Sequence, residues 1–384
     1  MITTRCLSDE SELIAWAQLC AECFSQKSNP PPPEHFLDHF FNDPWKDINL
    51  IFVSFDNESR KMVSSVRIFR RALFLNREIY HVFGLGEVCT LPSHRNRGIA
   101  RDLLSYAIRN VENSANIEFG FILHAADWVR PFYQQLGFKS IVSGWSSIRF
   151  NDHFRTKRKI IVKLAPLSLI SEKATNLNIS VSKFLNGAVS RSVEYTSSWI
   201  QSECNNRVLV LVQGNEAEDN NSSNVVSGES VLAYCSIQEC RPHGHNKFQL
   251  IDFGIDHHNI NLSDDKSSMR RPESLDFDIS QSLALLLSNG IPLLYPLTAA
   301  TGSFEVIIPR PLACLLPLHP PTNSQYQQID EMDAQEDAAR TVNEKPAYSI
   351  DLEHCEDECW MVRPRAATTD EQFTNICIWP IDNF

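Results

Sequence analysis

The sequence has no excess of positive charge, no long apolar run and no apolar start. Its 384 residues carry a formal net charge of −12, whereas a nucleic-acid-binding protein needs a basic face that neutralises phosphates. No run of about 18 apolar residues occurs, so the sequence predicts no membrane-spanning helix. Residues 1–12 are polar and acidic where a secretory signal would be apolar. We therefore expect a cytoplasmic protein with neither nucleic acid nor a membrane as a partner.

The cysteines form no regular pattern. There are eleven, an odd and scattered set, so the sequence does not predict a disulfide framework. Cys20 with Cys23 and Cys355 with Cys359 have spacings that some metal sites use, but neither pair has a second Cys/His pair beside it. We therefore predict thiols of the core and no metal.

The composition is that of an ordinary globular protein, with 43% hydrophobic and 21% charged residues. A chain of 384 residues exceeds the size of most single cores, so two domains are expected. We predict an N-terminal domain over 1–155 and a C-terminal α/β domain over 156–384. Polar stretches near 214–228, 256–274 and 319–346 predict loops within the second domain.

Two familiar nucleotide-binding motifs are missing, the Gly-x-Gly-x-x-Gly of Rossmann folds and the Gly-Lys-Ser/Thr of the P-loop. Instead, a strand over 85–91 is followed by Pro92 and by an amphipathic helix that begins near Gly98. The connecting loop suits an anion because Arg95 and Arg97 supply charge and forked donors. In addition, glycine allows a close backbone approach, and the first N–H groups of a helix have no partner within the helix.

The loop residues are Arg95, Asn96, Arg97, Gly98, Ile99 and Ala100. A second motif, Phe132-Tyr133-Gln134-Gln135-Leu136-Gly137-Phe138, follows after one more predicted strand. Together the two motifs resemble those of the GNAT superfamily of N-acetyltransferases. The likeness covers 82–138 and extends over about 1–150, where the predicted element order is β-α-α-β-β-β-α-β-α-β-β. The last two strands are predicted as a closing hairpin over 138–150.

The resemblance implies a mixed α/β fold, of the α+β type, whose sheet splays between its fourth and fifth strands so that coenzyme A can enter. It implies that the backbone of Val88, Cys89 and Thr90 contacts the pantetheine arm. It also implies that residues 95–100 hold the pyrophosphate of acetyl-CoA. In acetyltransferases of this type, the region between the first two helices commonly forms a wall of the acceptor-amine site.

The catalytic groups are open to more than one interpretation. Tyr133 is the candidate general acid by its place in the second motif, since a phenol stays protonated at neutral pH. Glu87 is the candidate base, and His124, His81, His94 or water are alternatives. Two departures from the family pattern bear on this choice: Phe121 stands where many members have Glu, and Ala126 where Asn is usual.

The C-terminal region has no cofactor motif. Its predicted elements, among them a helix over 280–289 that ends at Gly290, resemble a degenerate second acetyltransferase domain. Such tandem chains occur among the enhanced-intracellular-survival acetyltransferases, in which the C-terminal carboxylate serves as the base. The apolar end of the chain, 375–384, predicts a docked tail, either as a plain final strand or with the Phe384 carboxylate near Tyr133.

Two functions from different classes fit these features. The first is an acetyl-CoA-dependent N-acetyltransferase that acts on a primary amine, either a small molecule or a lysine side chain, by direct attack. The second is a catalytically silent acyl-CoA-binding regulatory module. The sequence names neither the acceptor nor the oligomeric state.

Overall fold

The computed structural model describes residues 1–25, 30–114, 120–141, 143–150, 160–213, 231–240, 247–255, 279–294, 304–313, 348–357 and 360–364. The strands are β1 Ile2–Cys6, β2 Ile51–Asp56, β3 Lys61–Leu75, β4 Glu78–Thr90, β5 Gly120–His124, β6 Lys139–Ser140, β7 Ser143–Phe150, β8 Ile160–Ala165, β9 Val208–Gln213, β10 Val231–Glu239, β11 Lys247–Ile255, β12 Phe304–Pro309, β13 Tyr348–Asp357 and β14 Trp360–Pro364. The α-helices are α1 Leu13–Cys23, α2 Pro33–Phe41, α3 Ile99–Ser114, α4 Arg130–Gln134, α5 Ser171–Ser182, α6 Val193–Tyr195, α7 Gln201–Glu203, α8 Ile279–Leu294 and α9 Arg310–Ala313.

The helices bury the faces that their apolar periodicity predicts. In α3, the stripe consists of Ile99, Leu103, Leu104, Ala107, Ile108 and Val111, and every member is buried. In α1, Leu13, Trp16, Leu19, Cys20 and Cys23 are buried in the same way. These two helices pack on the first of two seven-stranded sheets and help to fix the frame of the site.

The first sheet has the strand order β1-β2-β3-β4-β5-β14-β6. Its first four strands are antiparallel neighbours, while β4 and β5 run parallel and pair only at Phe83 with Phe121 and at Gly84 with Ile122. Beyond Gly84, β4 continues without β5. The predicted element order and the splay between the fourth and fifth strands are therefore confirmed.

The predicted closing hairpin over 138–150 is wrong. The short strand β6 pairs with β14, which lies between β5 and β6, whereas β7 leaves the first sheet and pairs with β12 and β13. Because β6 has only two residues, most of the edge of β5 is left to a strand from the end of the chain. The predicted division at residue 155 therefore does not coincide with a division between the sheets.

The second sheet repeats the first. Its order is β13-β7-β12-β11-β10-β9-β8, and β11 and β12 are the parallel pair that corresponds to β4 and β5. From β8 to β14 the chain again runs β-α-α-β-β-β-α-β-α-β-β, if α6 and α7 are taken as one helical segment. Each unit thus places its last strand in the sheet of the other. We use first unit for the elements β1 to β7 and second unit for β8 to β14.

The helix α8 is longer than predicted, because it passes Gly290 and ends at Leu294. A Cβ atom at Gly290 would lie 2.4 Å from Leu209 Cδ1, so the glycine serves close packing of the helix on β9 rather than helix termination. Glycine often follows the end of a helix, but here Gly290 lies within α8 and is required by the close contact with Leu209.

The segment 187–190 joins the two units at the end of β3. Phe74 N–H donates to the carbonyl of Ala188, Gly187 N–H donates to that of Phe74, and Ser190 N–H donates to that of Ala72, over 2.7–2.8 Å. The predicted loops 214–228, 256–274 and 319–346, together with Cys359 and the tail 375–384, lie outside the described residues. Within the described residues, no helix has the length and apolarity that a bilayer crossing needs.

Candidate active site

The gap between β4 and β5 is the place where both predicted motifs converge. The β4 residues beyond Gly84 have lost β5 as a neighbour, while β3 still pairs with them on the other side. The loop after β4 leads into α3, and α4 follows shortly after β5. A ligand that enters this gap therefore meets a strand edge, a helix N-terminus and the residues of α4.

A β-bulge interrupts β4 within the gap. Arg67 on β3 faces Gly86 and Ser65 faces Cys89, so Val66 stands opposite two residues, Glu87 and Val88. Glu87 has φ +54°, the left-handed region in which a residue with a side chain is uncommon. The bulge redirects the chain at the point where the candidate base stands.

The loop before α3 has the geometry of an anion site. Asn96 and Gly98 have φ +60° and +79°, and a Cβ atom at Gly98 would lie 3.3 Å from an Arg101 guanidinium nitrogen. Arg95 Nε donates to the carbonyl of Thr90 at 3.1 Å, which ties the loop to the end of β4. Arg97 is exposed and has no hydrogen-bond or ion-pair partner within the described part of the chain. The residues thus fit a pyrophosphate, which would meet a free guanidinium and the unpaired N–H groups of α3.

The three β4 residues assigned to the pantetheine arm differ in their surroundings. Val88 packs against the apolar cluster below α3, whereas Cys89 is buried on the α1 side with its Sγ 3.9 Å from Cys20 Sγ. Ser64 Oγ donates to the Cys89 carbonyl at 2.7 Å and lies 2.8 Å from Thr90 Oγ1. Burial raises the pKa of Cys20, so this thiol stays protonated in the core.

Glu87 is nearly enclosed, with 7% of its side chain exposed. Its Oε1 lies 2.9 Å from His39 Nδ1 on α2 and 3.5 Å from Arg67 Nη1 on β3. Its Oε2 is buried and has no hydrogen-bond partner among the described residues. An acceptor atom in this state costs free energy unless it serves a ligand or a reaction.

Two buried arginines extend the network away from Glu87. Asp43 accepts from Arg67 Nη2 and from Arg71 Nη1, each at 3.1 Å, and all three side chains are at most 2% exposed. Burial lowers the pKa of Arg67, although the charges of Glu87 and Asp43 oppose this effect. The two carboxylates and two guanidinium groups balance, as buried charges must.

Aromatic rings from both units enclose this network. The second unit contributes Tyr195 and Trp199, and the Trp199 ring centroid lies 4.1 Å from that of His39. Trp199 belongs to a π-helical turn, Thr196–Ile200, between α6 and α7, and such turns are frequent at functional sites. The Arg71 guanidinium lies 5.0 Å from the Trp199 ring centroid. One side of the buried cluster around His39 and Glu87 is thus formed by the second unit.

Tyr133 lies on α4, in the cluster on the other side of the gap. It packs against Phe132 and Phe138, and its burial raises its pKa to about 12. It makes no hydrogen bond with Glu87, and the two residues pack against different elements. The two candidate catalytic groups therefore approach the gap separately.

The alternative bases are less enclosed. His124 is exposed at the end of β5 beside Trp360, His81 is exposed near the start of β4, and His94 lies 2.9 Å from Ser93 Oγ. Phe121, where Glu is usual, is buried against Phe83. Ala126 carries no side-chain donor, and its carbonyl accepts from Val129. The Phe384 carboxylate lies outside the described residues.

Sequence analysis did not single out His39, Arg67, Arg71, Asp43 or Trp199. His39 is one of two histidines four residues apart on α2, and that spacing places both on one face of the helix. The arginines lie within a long strand, where their burial cannot be seen without the partner that neutralises them.

Residues 5–141 match the family model described as an acetyltransferase (GNAT) domain. This part of the chain is therefore similar in sequence to GNAT domains. The match ends at Ile141, just before β7, so the matched stretch is the first unit without the strand that it places in the second sheet. No curated protein matches the sequence.

Solved structures similar to the whole chain extend this result to the fold. A protein from Enterococcus faecalis V583, described as a probable N-acyltransferase, is 12% identical with a TM-score of 0.56, over 95% of this chain and 73% of that one. Saccharomyces cerevisiae N-myristoyltransferase with bound myristoyl-CoA is 10% identical with a TM-score of 0.50, over 98% and 89%. Eis1 from Mycobacterium abscessus is 11% identical with a TM-score of 0.49, over 80% and 65%. At these identities, the first two structures indicate a shared fold and nothing more.

Proposed function

We propose that the protein transfers the acetyl group of acetyl-CoA to a primary amine by direct attack of the amine on the thioester. The observation that carries this proposal is the free Oε2 of Glu87, a buried acceptor at a bulge in the gap between β4 and β5. The match of residues 5–141 to a GNAT domain supports acyl transfer, and the loop before α3 supports coenzyme A as the donor.

The amine must lose a proton before it attacks. A lysine-type amine has a pKa near ~10.4, so only on the order of one molecule in a thousand is neutral at pH 7. Glu87 Oε2 is placed to accept that proton. The acyl thioester supplies the electrophilic carbonyl, while residues 95–98 and the start of α3 hold the pyrophosphate and so fix the distance to β4.

Tyr133 acts on the departing sulfur. With its pKa raised to about 12, the phenol is protonated throughout the physiological range. Full proton transfer from such a phenol to a thiolate whose pKa is near ~8.5 would be uphill by about 5 kcal/mol. We therefore assign Tyr133 the role of hydrogen-bond donor to the sulfur, and the proton that finally resides there comes from the attacking nitrogen.

The alternative is a silent acyl-CoA-binding module, which the departures at Phe121 and Ala126 favour. Release of free coenzyme A thiol from acetyl-CoA, measured with polyamines, free lysine, aminoglycosides and peptide lysines, separates the two functions. We expect amine-dependent release with at least one class and none with Gly98→Asp. Tight coenzyme A binding without release for any amine would establish the silent module. Release from longer acyl-CoA substrates but not from acetyl-CoA would contradict the acetyl assignment alone.

A further inference from the structure

The ring of His39 is held from several sides. Trp199 of the second unit contacts it at 4.1 Å between centroids, and Phe69 on β3 meets it edge to face at 5.9 Å. Its Nδ1 is directed at Glu87 Oε1 over 2.9 Å. The hydrogen bond and the ring contacts together leave the imidazole little rotational freedom.

This arrangement determines which oxygen of Glu87 is free. A carboxylate can rotate about its last torsion, so a single partner does not by itself select one oxygen. Here Oε1 faces two partners, His39 Nδ1 and Arg67 Nη1, and Arg67 is itself fixed by Asp43. Oε2 is consequently the atom left for a ligand.

We propose that His39 and Trp199 are positioning residues for the base Glu87, and that the second unit thereby completes the acceptor-amine site of the first. This inference rests on the proposed function. Trp199 holds the His39 ring, His39 donates its Nδ1–H to Oε1, and Oε2 remains directed at the amine. The second unit thus takes part in the reaction through one side chain on a π-helical turn.

The proposed acetyl transfer conserves protons and bonds. An ammonium group loses one proton to Glu87 Oε2, and this proton returns to solvent when the product has left. The freed nitrogen lone pair forms a C–N bond with the thioester carbonyl, and the C–S bond breaks. The second nitrogen proton ends on the sulfur, so the products are an amide, coenzyme A thiol and one released proton.

The decisive variants are His39→Leu and His39→Asn. Leucine removes the donor, whereas the amide of asparagine keeps an N–H that can reach Oε1. We expect His39→Leu to lower kcat by about 100-fold and His39→Asn to recover most of that loss, with the KM for acetyl-CoA unchanged in both. Asp38→Leu is the matched control, because Asp38 is the exposed neighbour of His39 on α2, and kcat should stay within about two-fold of the wild-type value.

Trp199→Phe tests the contribution of the second unit. It keeps an aromatic ring in the core, but the smaller ring contacts less of the His39 imidazole. We therefore expect kcat to fall by about three- to ten-fold without a change in the KM for acetyl-CoA. Histidine nitrogen NMR on the same proteins should show His39 Nδ1 protonated in the wild type and altered in Trp199→Phe and Glu87→Gln. The wild-type NMR spectrum needs no turnover, so it tests the protonation of His39 Nδ1 even if a variant is poorly folded.

The outcomes are separable. If the wild type transfers acetyl to an amine and His39→Leu retains full kcat, this inference is overturned while the proposed function stands. The same holds if His39→Asn is as impaired as His39→Leu, or if NMR shows His39 Nδ1 unprotonated. If the wild type transfers acetyl to no amine, the proposed function fails and this inference fails with it.

Discussion

Glu87 in the first unit and Asp252 in the second occupy corresponding places. Each acid lies three residues beyond the last pair of the parallel strands, after Gly84 in β4 and after Gln249 in β11. Each lies beside a bulge, and each is near a buried arginine, Arg67 in one case and Arg191 in the other. The two units therefore keep a carboxylate at the same point of the fold.

The difference lies in how the oxygens are used. Asp252 Oδ1 accepts from Arg191, Asn178 and the backbone N–H of Phe253, and its Oδ2 accepts from Tyr234 at 2.8 Å. Glu87 keeps one oxygen without a partner. A satisfied buried acid stabilises the fold, whereas an unsatisfied one is available for chemistry. The same position thus serves structure in one unit and, in our proposal, catalysis in the other.

The helices after the parallel strands show the same divergence. Both α4 and α9 begin with Arg-Pro, but α4 continues Phe132-Tyr133 and α9 continues Leu312-Ala313. The second unit therefore has the same first two helix residues but no tyrosine at the fourth position. Because Ala313 is fully buried, this position in the second unit only packs.

The strongest test of the comparison is Asp252→Asn. This change removes the charge of Asp252 from its fully buried ion pair with Arg191, so we expect the free energy of unfolding to fall by about 3–5 kcal/mol. Urea denaturation followed by circular dichroism measures it. A loss of less than about 1 kcal/mol would mean that the second acid is not structural.

Glu87→Gln should show the opposite pattern. It keeps the shape of the side chain, and Asp43 still pairs with both buried arginines, so the loss of stability should be smaller than that of Asp252→Asn. The kcat should fall by about 10² or more, because the proton acceptor is lost. Retained turnover, or a stability loss as large as that of Asp252→Asn, would remove the distinction between the two acids.

Tyr133→Phe sharpens the comparison between α4 and α9. It removes a hydrogen bond to a developing thiolate, worth about 1.5–3 kcal/mol, so kcat should fall by roughly 10- to 100-fold with little change in cofactor affinity. Steady-state kinetics with the best amine measures this, and calorimetry with coenzyme A provides the control. A variant with wild-type kcat would place Tyr133 with Ala313 among purely structural residues.

Gly98→Asp tests the loop that we propose binds the cofactor in the first unit. A negative side chain at φ +79° both strains the backbone and repels phosphate, so coenzyme A affinity should fall about ten-fold or more. Gly187→Asp is the control, since Gly187 has φ +90° in the second unit, away from the loop. Equal losses of affinity in both variants would point to strain rather than to the anion site.

Glu12 is a partly exposed acid with which the two buried acids can be compared. Its hydrogen bond with Arg5 lowers its pKa from 4.5 to about 2. Because the folded-state pKa lies below the unfolded value, the stabilisation is present above pH 4.5 and is lost as the pH falls toward 2. The pair is partly exposed, so Glu12→Gln should cost less than about 1 kcal/mol at pH 7 and a smaller amount at pH 2, measured by denaturation at both pH values.

Much of the first unit could be predicted because its signals are local. The periodicity of α3, the strand before it and the loop with Gly98 each depend on residues adjacent in sequence, and the structure has all three. The splay between β4 and β5 followed from the GNAT resemblance. The proposed roles of Val88–Thr90, 95–100 and Tyr133 remain predictions.

The rest of the candidate site could not be predicted, because its parts come from distant segments. His39 is recognisable as a partner of Glu87 only once α2 lies over β4, and the burial of Arg67 and Arg71 is tolerable only with Asp43 between them. The exchange of β7 and β14 also depends on distant segments. Each strand pairs with an edge of the sheet that the other unit forms, and that edge exists only after the sheet has folded.

The sequence by itself determined the order of elements in the first unit, the backbone turn before α3 and the likeness to GNAT domains, because residues close together in the chain encode them. The tertiary structure alone decided that the last strand of each unit belongs to the other sheet, that Trp199 reaches His39, and that Glu87 keeps a free oxygen where Asp252 does not. Strand pairing and charge burial depend on contacts between residues far apart in the chain, and local sequence patterns do not predict such contacts.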